Sequence, residues 1–394
     1  MRKRGLRKAR PATGIRDVAH LAGVSPMTVS RALRDPHKVS AEMRRRVEKA
    51  VQRTGYLPNR IAGSLSSNRS NVVGLILPSV RNSLFANTVQ GISDVLHANG
   101  HHLMIADSGY SLADEEAAIH AFLQQRVCGM VLHNTKHTSR ARQLIRRAGV
   151  PVAEIGNLTP HPLDMTVSYS NYEASRAMTL HLARLGYSRI GFVTLPVQDN
   201  DRSYERRRGY QAGLAGSGLP EASHLILEMP PGIGSGAEAI VRLVEADERL
   251  DAVFFAGDVL AVGALFECRR RGWEVPGRIA IATFDDVDIL GYVSPTVTSV
   301  RIPRYEIGRR SAEVVLDRVK EGGNEWKFVD LGFQIISRES TRAVRCRVPT
   351  SRTGPSEQQV DDAHGAEDDA EGDARQTASA GHHRRGQPGR RQDV

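Results

Sequence analysis

From residue 72 onward the chain alternates short, almost wholly apolar runs with stretches of helical period, and this pattern leaves few folds open. The apolar runs fall at 72–77, 102–106, 129–132, 152–155, 190–193, 225–227, 252–255 and 279–282. Helices are predicted near 84–98, 113–125, 139–148, 171–185, 203–216, 235–246, 258–271 and 304–320. Strands that are apolar along their whole length are covered on both faces, which is the habit of parallel sheets flanked by helices. About 270 residues of this pattern exceed one ordinary doubly wound domain, so the region divides into two lobes. In such sheets ligands sit beyond the carboxyl ends of the strands, which makes a cleft between the lobes the expected site.

Ahead of that region, 17–33 reads as two short helices joined by a tight turn. Val18, Ala19 and Ala22 recur at helical spacing, as do Val29, Ala32 and Leu33, so each helix has one apolar face. Gly23 stands where the chain reverses, Ser25 is a capping residue, and Pro26 suits the first position of a helix. The spacing fits a helix-turn-helix, and it also fits an ordinary helical hairpin in a small core. Charge favours the first. Residues 1–60 hold 16 Lys/Arg and 4 Asp/Glu, a net of +12, whereas the whole chain nets +10 and the remaining 334 residues therefore net −2. A basic module on a near-neutral body is the electrostatic footprint of nucleic-acid binding.

Ser40 caps a third predicted helix, with Met43, Val47, Ala50 and Val51 inward, Arg44, Arg45, Arg46 and Lys49 mostly outward, and Gly55 as its stop. Pro58 starts a further helix of about two turns that places Ile61, Ala62 and Leu65 on one face, too short to persist alone in water. Residues 64–71 read as a linker. The first ten residues carry six basic side chains, a solvated arm that can add phosphate contacts. Beyond about 347 the composition is polar and is expected to be disordered, with no heptad for a coiled coil.

Several chemistries lack their motifs. No apolar run reaches the ~20 residues of a membrane helix. No apolar leader core follows the basic start, so the expected location is the cytoplasm. Cys128, Cys268 and Cys346 lie far apart without metal-ligand spacing and read as reduced, buried thiols. There is no Gly-x-Ser-x-Gly elbow, no Gly-Lys pair for a phosphate-binding loop and no His-Glu-x-x-His, so neither cofactor nor metal is expected. Residues 232–236 are glycine-rich before a helix but lack dinucleotide spacing. Asp285, Asp286 and Asp288 form the one carboxylate cluster, better suited to ligand hydroxyls than to metal or acid–base work.

Taken together, Asp17-Val18-Ala19, Ala22-Gly23-Val24-Ser25, Thr28-Val29-Ser30-Arg31, Val39-Ser40, Gly55-Tyr56 and Pro58-Asn59 resemble the lactose/galactose-repressor family of bacterial transcription regulators. The likeness runs through residue 340. Within the family, Pro78, Asn82, Phe85-Ala86, the 261–268 segment and the 275–282 segment look most like gluconate-operon repressors. The resemblance implies an all-α helix-turn-helix DNA-binding domain followed by an α/β two-lobed periplasmic-binding-protein-like domain with doubly wound parallel sheets. The expected organisation is a basic arm at 1–12, the helix-turn-helix domain at 13–58, a hinge helix and linker at 59–71, a two-lobed effector-binding and dimerisation domain at 72–346, and the polar tail at 347–394.

The resemblance also assigns roles. The helix opening at Pro26 enters the major groove, with Pro26 and Met27 at positions that usually read bases. Neither side chain offers hydrogen bonds, so thymine-methyl contact or close backbone approach is what remains. Arg31 matches a base-reading arginine, and Ser25, Thr28 and Ser30 carry hydroxyls suited to phosphate. Asn59 belongs to the DNA-binding set. Leu65 matches the leucine that wedges into the minor groove and kinks the duplex, although a linker leucine packing on the lobe is the plainer reading. In the cleft, Phe85 matches an aromatic of the first lobe, and Arg206 matches a ligand-clamping arginine. Arg202 points toward the cleft by position, and Asp258 and Asp285 match polar cleft positions of the second lobe. Two departures stand out: Gly257 where the family usually has Asn, and Asn157 where it often has Asp. They leave a more cationic cleft that suits a carboxylate-bearing sugar acid, unless the two arginines only solvate helix ends.

The reading is therefore a non-enzymatic regulator, most readily a repressor, whose partners are a palindromic double-stranded operator, a small effector such as gluconate, and a second copy of itself. A solute-binding protein or a sugar-metabolising enzyme are the rivals; the second would need a catalytic constellation that the sequence lacks.

Overall fold

The computed structural model describes residues 14–56 and 70–342. The 1–12 arm, the two-turn helix, Asn59, Leu65, Cys346 and the 347–394 tail lie outside the described residues. The N-terminal module has three helices, α1 (Ile15–Ala22), α2 (Pro26–Arg34) and α3 (Ala41–Thr54). Local chemistry sets their ends. Gly23 and Gly55 follow α1 and α3 at φ 64° and 63°, a left-handed backbone that glycine adopts without a Cβ clash. The Ser25 hydroxyl accepts from the Thr28 amide at 3.1 Å, and the Ser40 hydroxyl from the Met43 amide at 3.3 Å. Val18, Ala19, Ala22, Val29, Ala32, Val47 and Ala50 form the buried centre, so the apolar faces read from the spacing are the faces that pack. α1 begins at Ile15, two residues earlier than expected, because Asp17 accepts from the Gly14 amide at 2.8 Å and holds the first turn.

Two six-stranded sheets make up the rest. The first lobe runs β1 (Val72–Leu77), α4 (Ala86–Ala98), β2 (His102–Asp107), α5 (Leu112–Gln124), β3 (Gly129–Leu132), α6 (Ser139–Ala148), β4 (Val152–Glu154) and β5 (Met165–Ser168). The second runs α7 (Asn171–Arg184), β6 (Ile190–Thr194), α8 (Asp201–Gly216), β7 (Ile226–Glu228), α9 (Ile233–Ala246), β8 (Ala252–Phe255), α10 (Asp258–Arg271), β9 (Ala280–Phe284) and β10 (Thr298–Arg301). The chain then returns: α11 (Arg304–Glu321) packs on α4 and on β3, β4 and β5 of the first lobe. β11 (Lys327–Asp330) joins the first sheet, and β12 (Gln334–Ile336) joins the second.

The strand orders are β11-β5-β4-β3-β1-β2 and β12-β10-β9-β8-β6-β7. Every pairing is parallel except β10 with β12. The central strands β3, β6, β8 and β9 are buried along their whole length, as their apolar sequences require. The chain crosses between lobes three times, after β5, β10 and β11. The alternation of runs did not announce this return path, nor the strands β5, β10, β11 and β12 that lie along it. β5 and β10 carry Thr and Ser inside a buried sheet, and β11 is an edge strand with alternating exposure.

The return helix α11 sits unusually close to α4. A methyl group at Gly308 would lie 2.1 Å from the Thr88 carbonyl oxygen, and one at Gly91 would lie 2.2 Å from the Tyr305 carbonyl oxygen. Both clashes are with backbone, which cannot swing aside. Gly308→Ala is therefore expected to destabilise the chain by about 1–3 kcal/mol, as overpacked cores do. Urea unfolding should show a lower midpoint with an unchanged slope. A midpoint at or above that of the parent chain would refute the close-packing account.

Candidate DNA-binding surface and ligand cleft

Helix α2 buries Val29 and Ala32 and turns its other side outward. Met27, 70% exposed, and Arg31 lie one turn apart on that outer side, with Pro26 beside them. Ser30 is half-buried. Ser25 and Thr28, both expected to contact phosphate, are already engaged with each other, their hydroxyl oxygens 2.9 Å apart. One hydroxyl hydrogen of the pair is shared internally, and the other is left to donate outward. Arg46, exposed on α3, also ties the module together. Its guanidinium donates to the Gly23 carbonyl at 3.3 Å and closes the turn between α1 and α2.

The cleft lies where the carboxyl ends of the two sheets meet, with an empty volume of about 600 Å³, part of it open to solvent. Phe85 reaches it from the turn after β1, Arg202 and Arg206 from the start of α8, Asp258 from the start of α10, and Asp285 from the residue after β9. Five of the six effector residues expected from sequence are thus brought together. Asn157 is the exception. Its side-chain oxygen accepts from the Asn171 amide group at 2.9 Å, and Asn171 in turn accepts from Arg206 Nε at 2.8 Å. Asn157 therefore stands behind the cleft wall and orients Arg206 through Asn171. The partner it meets, Asn171, follows β5, a strand that the sequence did not reveal.

Arg206 is buried and held on every side. Nη1 donates to the Ala256 carbonyl at 2.7 Å, Nη2 to the Tyr169 hydroxyl at 3.2 Å, and the guanidinium lies 3.6 Å from the centre of the Phe284 ring. Asp285 faces it at 3.7 Å and also binds Arg304, the first residue of α11. Arg202 donates through Nη1 to the His133 carbonyl at 2.6 Å, to Asn134 Oδ1 at 2.7 Å and to Asp201 at 3.0 Å. Three guanidinium groups thus line the cleft against the two carboxylates Asp258 and Asp285. Gly257 has nothing within 4 Å of where a Cβ would stand, so the missing side chain leaves open space in the wall.

Tyr110, His133, Tyr169 and Arg304 are among the lining residues that had no reading from sequence. Tyr110 sits at φ 64°, which no tyrosine signals in advance. His133 is buried with its ring edge-on to Phe85 at 4.8 Å, and its Nδ1 has no hydrogen-bond partner. Burial first, then the charges of Arg202 and Arg304, push its pKa well below the usual range, so the ring is neutral. Tyr169 and Arg304 follow β5 and β10. The rule that ligands sit past strand carboxyl ends locates them once those strands are known. Among the described residues no cluster of His, Cys, Asp and Glu is arranged for a metal ion. Cys128 and Cys268 are buried, and no described helix is long and apolar enough to cross a membrane.

Asp258 carries the electrostatic strain of the site. Burial, and next the charge of Asp285, raise its pKa from 3.8 to about 6. A carboxyl whose pKa rises on folding favours the fold while protonated and loses that contribution as pH climbs through the folded value. Asp258→Asn is therefore expected to be more stable than the parent by roughly 3 kcal/mol at pH 7.5, the gap narrowing to about half at pH 5. Thermal melts across that range check the sign. A gap that does not vary with pH would mean that Asp258 is not the group responsible.

Residues 14–59 match the family model described as bacterial regulatory proteins, lacI family, and residues 179–341 match the periplasmic binding protein-like domain. The chain is 36% identical over 330 residues to the HTH-type transcriptional regulator GntR of Escherichia coli strain K12, covering 84% of this chain and 98% of the relative. It is 34% identical over 324 residues to the HTH-type transcriptional regulator IdnR of the same strain, covering 82% and 96%. Among solved structures, a LacI-family transcriptional regulator from Silicibacter pomeroyi superposes with a TM-score of 0.77 at 31% identity, covering 84% of this chain and 99% of that one. These relatives are transcription regulators and not enzymes. A helical reader joined to a two-lobed binding domain, matched over nearly the whole length of such relatives, makes this chain a DNA-binding transcriptional regulator that belongs to the LacI family.

Proposed function

We propose that the chain is a repressor of sugar-acid utilisation genes that binds a palindromic operator as a homodimer and responds to a small sugar acid such as gluconate. The carrying observation is that Arg206 and Arg304 share the single carboxylate Asp285 at the cleft, Arg202 being paired with Asp201. A ligand carboxylate supplies the missing anion, and its two oxygens suit the planar donors of arginine. Arg206 still has N–H groups beyond those given to Asn171, Ala256 and Tyr169. A neutral sugar leaves that charge unanswered. The hydroxyls of a sugar acid find acceptors in Asp258 and Asp285, and its carbon face can lie on Phe85.

Two-fold pairing follows from the reader. One α2 spans only a few base pairs, and palindromic operators are read by two-fold proteins. The second lobe exposes Phe266 on α10, with Ile289 and Tyr292 after β9, apolar side chains that a partner copy can cover. A chain that works on an operator works in the cytoplasm, where the operator is.

The decisive experiment is titration of DNA from the chain's own upstream region, with and without gluconate, other aldonates, neutral sugars and sugar phosphates. Specific binding that gluconate shifts and glucose does not is the expected result. Absence of specific binding at moderate salt overturns the operator reading, and a shift by neutral sugars alone overturns the sugar-acid reading. Arg31→Ala should cost about 1–3 kcal/mol and relax preference at one base position. An equal loss on every DNA would make Arg31 a phosphate contact instead.

A further inference from the structure

Beside the cleft, the loop 133–136 of the first lobe grips residues 199–202 of the second. Thr135 donates to Asp201 through its hydroxyl at 2.6 Å and its amide at 3.2 Å. Lys136 Nζ meets Asp199 at 3.0 Å, and Arg202 donates to the His133 carbonyl and to Asn134 Oδ1. Asp199 stands at φ 57°, a backbone costly for a residue other than glycine, so the turn that presents these groups is over-determined by its contacts.

Behind the loop lies a fully buried ion group. His137 Nδ1 donates to Glu115 Oε2 at 2.8 Å and Nε2 to Glu154 Oε1 at 3.1 Å, each side chain 1% exposed. Burial opposes the charge on the ring, but the hydrogen bonds and charges of the two glutamates outweigh it and hold its pKa at about 9. Glu115 Oε1 accepts from the Asn134 amide at 3.0 Å, and Glu154 Oε2 accepts from the Leu163 amide at 2.5 Å. An unbroken chain therefore runs from His137 through Glu115 and Asn134 to Arg202 in the other lobe. Accepting from Asn134, Glu115 fixes which way that side-chain amide points. With its N–H₂ turned to Glu115, the oxygen must face Arg202. Buried ion groups rarely add stability over apolar packing, so a role in holding one arrangement is the better account of this one.

We propose that His137, with Glu115 and Glu154, is a positioning residue that orients Asn134 toward Arg202 and so sets how firmly the two lobes are clasped, whatever occupies the cleft. The clasp joins elements on opposite sides of the ligand site. Its strength thus enters the energy of opening and closing directly, and loosening it lowers the fraction of chains ready to hold a ligand between the lobes.

The test needs no effector, so an error in the proposed ligand leaves it intact. A donor and an acceptor dye go on Gln143→Cys in α6 and Glu238→Cys in α9, both exposed and one on each lobe, in a Cys346→Ser background. The labelled chain is mixed with excess unlabelled chain. The parent is expected to give one short-distance population. His137→Gln and Asn134→Ala should each add a longer-distance population, and the double variant should move no further than Asn134→Ala alone, although its melting temperature falls further. A residue that only stabilises the lobe would lower melting and leave the distances alone, and that outcome overturns the proposal. Additive distance shifts would also overturn it, because His137 would then not act through Asn134. Should His137→Gln fail to fold by circular dichroism, Asn134→Ala decides: unchanged distances refute the clasp.

Discussion

The Arg206 guanidinium is the contact on which the cleft depends. A buried cation is tolerable only when its donors are met, and Arg206 meets Asn171, the Ala256 carbonyl and the Tyr169 hydroxyl while stacking on Phe284. Those partners come from the ends of β5, β8 and β9 and from the start of α7. Each is brought there by a parallel strand whose carboxyl end opens on the cleft. The fold thus decides the electrostatics. Parallel sheets deliver loop residues to one rim, and one buried arginine needs enough of them to fix their arrangement. Asp285 is drawn in by the same logic, set between Arg206 and Arg304 and held at φ 72°.

Strain collects around that rim. Four described residues other than glycine adopt positive φ, and three of them are Tyr110, Asp285 and Asp199. The first two line the cleft and the third belongs to the contact beside it. Such conformations persist only where surrounding contacts outweigh their cost, of order 1–3 kcal/mol each, and they gather where groups must be aimed. The unpartnered Nδ1 of His133 and the raised pKa of Asp258 are of the same kind. Each is a local disadvantage that the surrounding packing sustains, and both residues line the cleft.

Much of this was legible in the residues, for reasons that also explain the gaps. The runs at 129–132 and 252–255 are apolar because both faces of their strands are covered, so period alone located them. Ser25, Pro26 and Gly23 mark α1 and α2 through backbone chemistry that acts within a few residues. β10 was invisible because its Thr298 is satisfied by partners far away in sequence, Ser340 and Thr341, over forty residues on, and β5 because it buries Thr166 and Ser168, polar residues that break an apolar run. That Asn157 meets Asn171 was hidden for a similar reason, since Asn171 follows a strand that local period did not show. The buried group of Glu115, His137 and Glu154 gave no signal at all. A helical glutamate and a loop histidine look solvated until the topology stacks them.

The three crossings between lobes impose a further condition on how any ligand can be sensed. Each lobe is tied to the other by chain at the ends of β5, β10 and β11, so the lobes can reorient about those points without unfolding. Arg304 opens α11, which packs on the first sheet, whereas Arg206 opens onto the cleft from α8 of the second. An anion held by both touches both lobes, and its binding energy then depends on their separation. A ligand shifts a conformational equilibrium only by its difference in affinity for the two states. A ligand touching one lobe alone would bind and change nothing. A ligand that met arginines on both sides of the crossings would favour one lobe arrangement.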